Sequence, residues 1–322
     1  MTRLRIGTRG SALALWQANH IADRLAQIHG VETELIRIRT SGDRMQNAPV
    51  AQINQLMNEQ IGSESGGKGI FIKELEDALL ANTVDLAVHS MKDVPTEIPA
   101  GLAFPAITRR EDPRDCLISF TGRSLKGLPP GARVGTSSLR RQAQLRHHRP
   151  DLEVVDLRGN VDTRLKKLDG GEFDAIVLAI AGINRLGLAG RISQVLAEDV
   201  MLPAVGQGAL GIETRATDLG TTELVAALDH FESRACMTAE RALLQALQGG
   251  CQVPLGAIAT LRNGELHLEA GVFSAAGSEW VRCSENGSPG EAQQVGITLA
   301  DAMIQQGAGK ILRLAGRAIG RN

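Results

Sequence analysis

Val84-Asp85-Leu86-Ala87-Val88-His89-Ser90-Met91-Lys92-Asp93-Val94-Pro95 is an apolar run that stops abruptly at a hydroxyl, an ammonium and a carboxylate. Residues 84–88 read as a buried strand, and Pro95 blocks a helix from continuing beyond the polar cluster. In an open α/β sheet, ligands sit just beyond the carboxyl ends of strands. The stretch therefore predicts an α/β fold with Asp93 placed where chemistry can happen. A solvated loop with a local Lys92–Asp93 pair is the plainer reading, since structural ion pairs also collect in loops.

Working outward, strand-like and helix-like segments alternate through the first half. Leu4-Arg5-Ile6 reads as a strand, followed by Gly7-Thr8-Arg9-Gly10-Ser11 and a helix with Ala18, Ile21, Leu25 and Ile28 on one face. Residues 34–38 alternate as a strand does, residues 71–80 read as a helix, and residues 45–66, rich in Gln, Asn, Ser and Gly, predict a long mobile loop. A second unit begins near Arg109, after a turn-rich stretch from Pro99 to Pro105. Its strands are predicted around 133–134, 153–157 and 174–180. Two such units predict two parallel or mixed sheets with a cleft between them. The last part differs: a helix from about Thr238 to Gln248, alternating strands joined by Asn263-Gly264 as a two-residue hairpin turn, a strand over 279–284 and a helix over 291–306.

Composition narrows the functional classes. The 322 residues carry 36 acidic and 35 basic side chains, so no global field draws the chain toward nucleic acid or an anionic membrane. Aromatic content is 2% with no tyrosine, which argues against a base-stacking platform. Cys116, Cys236, Cys251 and Cys283 show no disulfide-like density and no metal-ligand spacing, and the histidines are dispersed; no metal is expected. The opening Met1-Thr2-Arg3-Leu4-Arg5-Ile6 lacks the apolar region of a signal peptide, and no apolar run approaches the roughly 18 residues of a membrane span. The reading is a cytoplasmic protein.

The arginines carry the chemical signal. Arg9, Arg140, Arg141, Arg158, Arg164 and Arg185 each fall at or near the carboxyl end of a predicted strand. Cations in the first turn of a helix oppose its macrodipole, which makes Arg140 and Arg141 locally misplaced after Gly135-Thr136-Ser137-Ser138-Leu139. A bound anion removes the conflict, because helix amides and guanidinium forks both hold carboxylates and phosphates. Any one of these arginines could point into solvent, but their recurrence in both units points to a polyanionic ligand. Gly249-Gly250-Cys251-Gln252-Val253-Pro254 puts a thiol on a tight loop, which suits a nucleophile or covalent attachment point; a small buried hydrophobe is the alternative. Gly206-Gln207-Gly208-Ala209-Leu210-Gly211 has the spacing of a dinucleotide fingerprint but lacks a feeding strand and a following helix. Residues 62–68 have P-loop spacing, but Gly69 stands where a hydroxyl is needed.

Five motifs in order, His89-Ser90-Met91-Lys92-Asp93-Val94-Pro95, Gly135-Thr136-Ser137-Ser138-Leu139-Arg140-Arg141-Gln142, Leu157-Arg158-Gly159-Asn160, Pro203-Ala204-Val205-Gly206-Gln207-Gly208 and Gly250-Cys251-Gln252-Val253-Pro254, closely resemble the porphobilinogen deaminase (hydroxymethylbilane synthase) family over nearly the whole chain. The resemblance implies an α/β fold with two lobes like type II periplasmic binding proteins, plus a small α+β C-terminal domain with a three-stranded antiparallel sheet. It implies domain 1 at residues 1–108 and 205–226, domain 2 at 109–204 and domain 3 at 227–322. It implies a dipyrromethane cofactor on a thioether to Cys251, porphobilinogen as substrate, head-to-tail joining of four substrate molecules with release of ammonia, and a monomer with no nucleic-acid or membrane partner.

The resemblance makes Asp93 the catalytic acid. It implies cofactor or substrate binding by Arg9, Ser11, Ser90, Lys92, Thr136, Ser137, Ser138, Arg140, Arg141, Arg158, Arg164 and Arg185, with Lys68, Phe71 and Gln207 lining the same cleft. Each pyrrole carries an acetate and a propionate, so the growing chain is the polyanion that the arginines predict. One departure stands out: residues 45–66 are longer than expected, and Ser63-Glu64-Ser65 stands where many relatives carry a second lysine, so a lid contact from that lysine is not expected. A non-catalytic two-lobed protein for a small anion is the alternative function; it needs neither Cys251 nor Asp93.

Overall fold

The computed structural model describes residues 3–40, 72–247 and 253–319. Contacts divide the chain into two units, Met1–Arg109 with Ala209–His230 and Arg110–Gly208 with Phe231–Asn322.

In the first unit, β1 (Leu4–Thr8), β2 (Thr33–Arg37), β3 (Leu86–Ser90), β4 (Leu102–Ile107) and β10 (Leu210–Arg215) form one sheet in the order β2-β1-β3-β10-β4. β1 runs parallel to β2 and β3, whereas β10 is antiparallel to β3 and β4. The alternation along β3 explains how it is covered. Leu86 and Val88 pack with Ala18, Ile21 and Leu25 of α1 (Ala12–His29), while Ala87 packs with Leu75 and Leu79 of α2 (Lys73–Leu80) on the other face. A strand covered on both faces reads as a continuous apolar run, which is how residues 84–88 appear in the sequence. Ile28, expected on the buried stripe of α1, is exposed because it lies in the helix's last turn, just before the left-handed Gly30 cap. The turn-rich stretch before Pro105 contains β4, an edge strand. An edge is where a strand tolerates a proline, since one side of it needs no donor.

In the second unit, β5 (Asp115–Ser119), β6 (Arg133–Gly135), β7 (Glu153–Val155), β8 (Ala175–Ala179) and β9 (Gln194–Val195) form a sheet in the order β7-β6-β8-β5-β9. The two five-stranded sheets share one plan. Three parallel strands come in the order second, first, third, followed by an antiparallel strand and an edge strand. The sheets are mixed, one of the two options the sequence left open. Helices α3 (Leu139–His148), α4 (Val161–Asp169) and α5 (Ile180–Arg185) start just past β6, β7 and β8.

The same unit carries a third sheet, β11 (Leu255–Arg262), β12 (Glu265–Phe273) and β13 (Trp280–Gly287), antiparallel throughout. Asn263 and Gly264 form its first turn with φ of +52° and +83°, the left-handed pair that a two-residue hairpin requires. The fold class is thus α/β, with two mixed five-stranded sheets of one plan and a separate three-stranded antiparallel sheet. Before this sheet runs a helix, Phe231–Ala246, that begins well ahead of Thr238. Its Glu240 is fully buried and receives the Arg110 guanidinium and the backbone N–H groups of Gly206 and Ala259. One carboxylate thereby ties the helix, the segment 203–208 and the third sheet together. Among the described residues, no helix is long and apolar enough to cross a membrane.

Candidate active site

In the first unit, three chain segments meet at the carboxyl ends of β1 and β3. The chain leaves β1 at Thr8, whose hydroxyl donates to the Ala14 carbonyl at 3.1 Å, and Ser11 caps α1 by accepting from the Ala14 N–H at 3.3 Å. β3 ends at Ser90, whose hydroxyl accepts from the buried Gln17 amide at 3.0 Å. A single turn over Met91–Asp93 then carries Asp93 to the same place. Arg9, Ser11, Gln17, His89, Ser90 and Asp93 line one pocket of about 70 Å³, with Leu13, Leu75 and Val88 supplying apolar wall. Asp93 is half-buried, and no described residue offers it a hydrogen bond or counter-ion. Helix amides, a guanidinium and a hydroxyl are groups that can receive an anion, and one carboxylate lies among them.

In the second unit, the Thr136–Ser138 loop leads from β6 into α3. Thr136 is buried and its hydroxyl accepts from the Ser138 N–H at 3.3 Å. Ser138 sits at the helix cap without a capping hydrogen bond, and Ser137 Oγ is buried without a partner among the described residues. Arg140 and Arg141 are both buried, and both reach Asp115 at the start of β5, each at 2.7 Å. Arg140 also donates to the Leu202 carbonyl and Arg141 to that of Val177. Burial alone would raise the Asp115 carboxyl, but the two guanidiniums hold it far below the usual carboxylate range. Part of the conflict between these cations and their helix is therefore met inside the protein by Asp115. The cluster still holds two cations against one carboxylate.

Gln207 is buried and donates to Asp115 at 2.9 Å and to the Pro113 carbonyl, leaving its carbonyl oxygen without a partner among the described residues. Its flanking glycines explain the Gly-Gln-Gly spacing. Gly206 has φ of +77° and Gly208 +93°, and a Cβ on Gly208 would lie 2.4 Å from the Glu111 carbonyl oxygen. Backbone conformation, not phosphate binding, accounts for that pattern. Arg185 donates to the Gly208 carbonyl at 2.7 Å, and burial lowers its guanidinium to about 10 against the pull of Glu111. Arg164 donates through Nε to the Gly159 carbonyl at 2.8 Å, Lys92 is half-buried, and Arg158 is exposed. Lys68, Phe71, Cys251 and the loop 45–66 lie outside the described residues. Asp115, Gln17 and the buried Glu213 beside His89 were missed from sequence, because nothing local marks a polar side chain as the partner of one far off in the chain.

The donor set suits a carboxylated dipyrrole. An excess guanidinium charge, an uncapped helix start and an orphaned buried hydroxyl together ask for an anionic group with hydrogen-bond acceptors.

Fold and site together define an α/β protein with arginine and hydroxyl side chains at strand ends on two sheets. A family model described as porphobilinogen deaminase, dipyromethane cofactor binding domain, matches residues 4–223, and one described as porphobilinogen deaminase, C-terminal domain, matches residues 234–305. The chain belongs to the porphobilinogen deaminase family. It is a hydroxymethylbilane synthase by activity, a transferase of tetrapyrrole biosynthesis that condenses four porphobilinogen molecules on a dipyrromethane primer with release of ammonia.

Several solved structures are similar at a distance. The BvgS periplasmic VFT2 domain of Bordetella pertussis is 15% identical with a TM-score of 0.38, covering 70% of this chain and 86% of that one. The alkanesulfonate-binding protein SsuA of Xanthomonas axonopodis pv. citri, bound to MOPS, is 14% identical with a TM-score of 0.38, covering 76% and 75%. The periplasmic aliphatic sulphonate binding protein SsuA of Escherichia coli is 12% identical with a TM-score of 0.39, covering 76% and 70%. Likenesses this distant carry no argument about what this chain binds and lend no weight to a non-catalytic role.

Proposed function

We propose that Asp93 is the catalytic group of this condensation, that the dipyrromethane is held by a thioether to Cys251, and that the strand-end cations receive the acetate and propionate groups. The observation that carries this reading is Asp93 itself: a half-buried carboxylate without a partner among the described residues, in one pocket with Arg9, Ser11 and Ser90. When bound, the dipyrromethane supplies a nucleophilic pyrrole carbon and a covalent anchor for the growing chain.

The protein's own groups then have separate tasks. Arg9, the amides at the start of α1 and Ser11 bind carboxylate in the first unit. Thr136, Ser137, Ser138, Arg140 and Arg141 bind it in the second, with Arg158, Arg164 and Arg185 serving further carboxylates as the chain lengthens. Gln207 orients the arginine pair through Asp115, and Lys68, Phe71 and Lys92 complete the binding set. Asp93 faces the pyrrole nitrogen on which positive charge develops as ammonia leaves, and it takes up the proton released when the ring carbon regains aromaticity. We further infer three domains at 1–108 with 205–226, 109–204 and 227–322, and a cytoplasmic monomer.

The decisive experiment is intact-mass measurement of wild type and Cys251→Ser. Wild type carries a dipyrrole adduct and releases ammonia from porphobilinogen; Cys251→Ser has its bare polypeptide mass and no turnover. An unmodified mass in active wild type refutes the covalent anchor, and binding of porphobilinogen without ammonia release favours the anion-binding alternative. Arg140→Leu removes the excess cation and is expected to lower dipyrromethane content and early-substrate affinity together. Normal adduct mass and normal kinetics in that variant would remove Arg140 from the binding set.

A further inference from the structure

The first unit buries a cluster of titratable side chains that the proposed chemistry does not use. On β3, Ser90 faces α1 and bonds Gln17, whereas His89 faces α2. On β10, Gly211 pairs with His89 and Glu213 with Ala87, so Glu213 lies on the same face one residue pair along. His89 Nε2 is 3.0 Å from Glu213 Oε2, and the two side chains are 3% and 0% exposed. The approach lies off the line of a hydrogen bond, and neither carboxyl oxygen of Glu213 has a hydrogen-bond donor among the described residues. Phe104 closes the cluster edge-on to the imidazole at 5.8 Å. Room for that cover comes from Gly211, where a Cβ would lie 2.2 Å from Met91 Sδ and 2.8 Å from the Phe104 ring. Glu76 of α2 is the third member. Burial and the nearby Glu213 raise its carboxyl to about 7, His89 pulls the other way, and Asp77 and Lys73 on its own helix add smaller opposing effects.

A buried carboxyl with no hydrogen-bond donor among the described residues is costly, and it calls for something that depends on it. What depends on it here is the end of β3. The Gln17–Ser90 bond holds this end from one face, the Glu213 carboxyl lies 3.0 Å from the His89 ring on the other, and the chain turns immediately afterwards into Met91–Asp93. We propose that Glu213, acting through His89, is a positioning residue for Asp93. The inference rests on Asp93 being the catalytic acid. Displacing a catalytic group by about 1 Å costs on the order of a hundredfold in rate even when the mutation lies away from the chemistry.

The test uses dipyrromethane-loaded enzyme and a cycle of variants. Glu213→Gln is expected to lower kcat at least tenfold with KM and adduct mass unchanged. His89→Asn does the same, and the double variant is no worse than either single one, because the two act as a unit. Glu213→Asp keeps the carboxyl with a shorter reach and recovers part of the loss; it also serves if Glu213→Gln fails to fold. In an Asp93→Asn background, Glu213→Gln costs less than twofold, since there is no carboxylate left to position. An equal loss in both backgrounds, multiplying losses in the double variant, or a change confined to KM overturns the positioning role. Near-normal turnover in Asp93→Asn alone would instead sink the Asp93 assignment, so the two failures are told apart.

Discussion

Asp93→Asn yields a folded, dipyrromethane-loaded protein whose kcat is lower by about three decades. Asp93 leaves β3 through one short turn and makes no hydrogen bond or ion pair with a described residue, so amidation breaks no contact with the described residues. What it removes is a negative charge facing a positive charge that exists only as the reaction proceeds. At about 4 Å and an effective dielectric near 20, that pair is worth roughly 4 kcal/mol. Since the interaction is absent in the ground state, the loss falls on kcat and leaves KM nearly unchanged. Ammonia release under saturating porphobilinogen, together with adduct mass, checks both halves. A variant with a tenth or more of wild-type turnover shows that another group carries the charge.

The second large effect concerns stability. Asp115→Asn leaves Arg140 and Arg141 buried with no counter-ion, and breaking a buried pair from one side costs about 3–5 kcal/mol. The midpoint of urea unfolding at pH 7 should fall accordingly, and dipyrromethane content should fall with it, since both guanidiniums lose the group that aims them. The pH dependence has a definite sign. A carboxyl held below its ordinary range contributes stability that is fully present above that range and is lost only as pH falls beneath it. The gap between wild type and variant therefore persists from pH 8 down to the ordinary carboxylate range and narrows progressively as pH falls below it. Equal midpoints at pH 7 would mean that the triad contributes nothing net.

Glycine and proline signals were legible where a single backbone position decides the outcome, as in the Asn263-Gly264 turn. They misled where tertiary position decides. Pro105 reads as a turn but sits in an edge strand, and the residues after Gly208 show no strand period because β10 is buried between β3 and β4. β5 was missed for the same reason: Asp115 to Ser119 is buried throughout and short, so alternation is absent. The C-terminal sheet was the easiest to see, and only its third strand, Trp280–Gly287, runs beyond the expected end.

By itself the sequence determined the chemistry on offer: one acid behind a buried strand, hydroxyls and guanidiniums at strand ends, and a thiol in a glycine loop. These are properties of short segments, set by periodicity and by a few backbone-restricted residues. Tertiary structure alone decided which charges are already spoken for. Asp115 stands 25 and 26 residues from Arg140 and Arg141, and Glu213 more than a hundred from His89. Only tertiary packing brings such groups within about 3 Å, and a charge taken out of water is governed by its nearest neighbour rather than by its place in the chain.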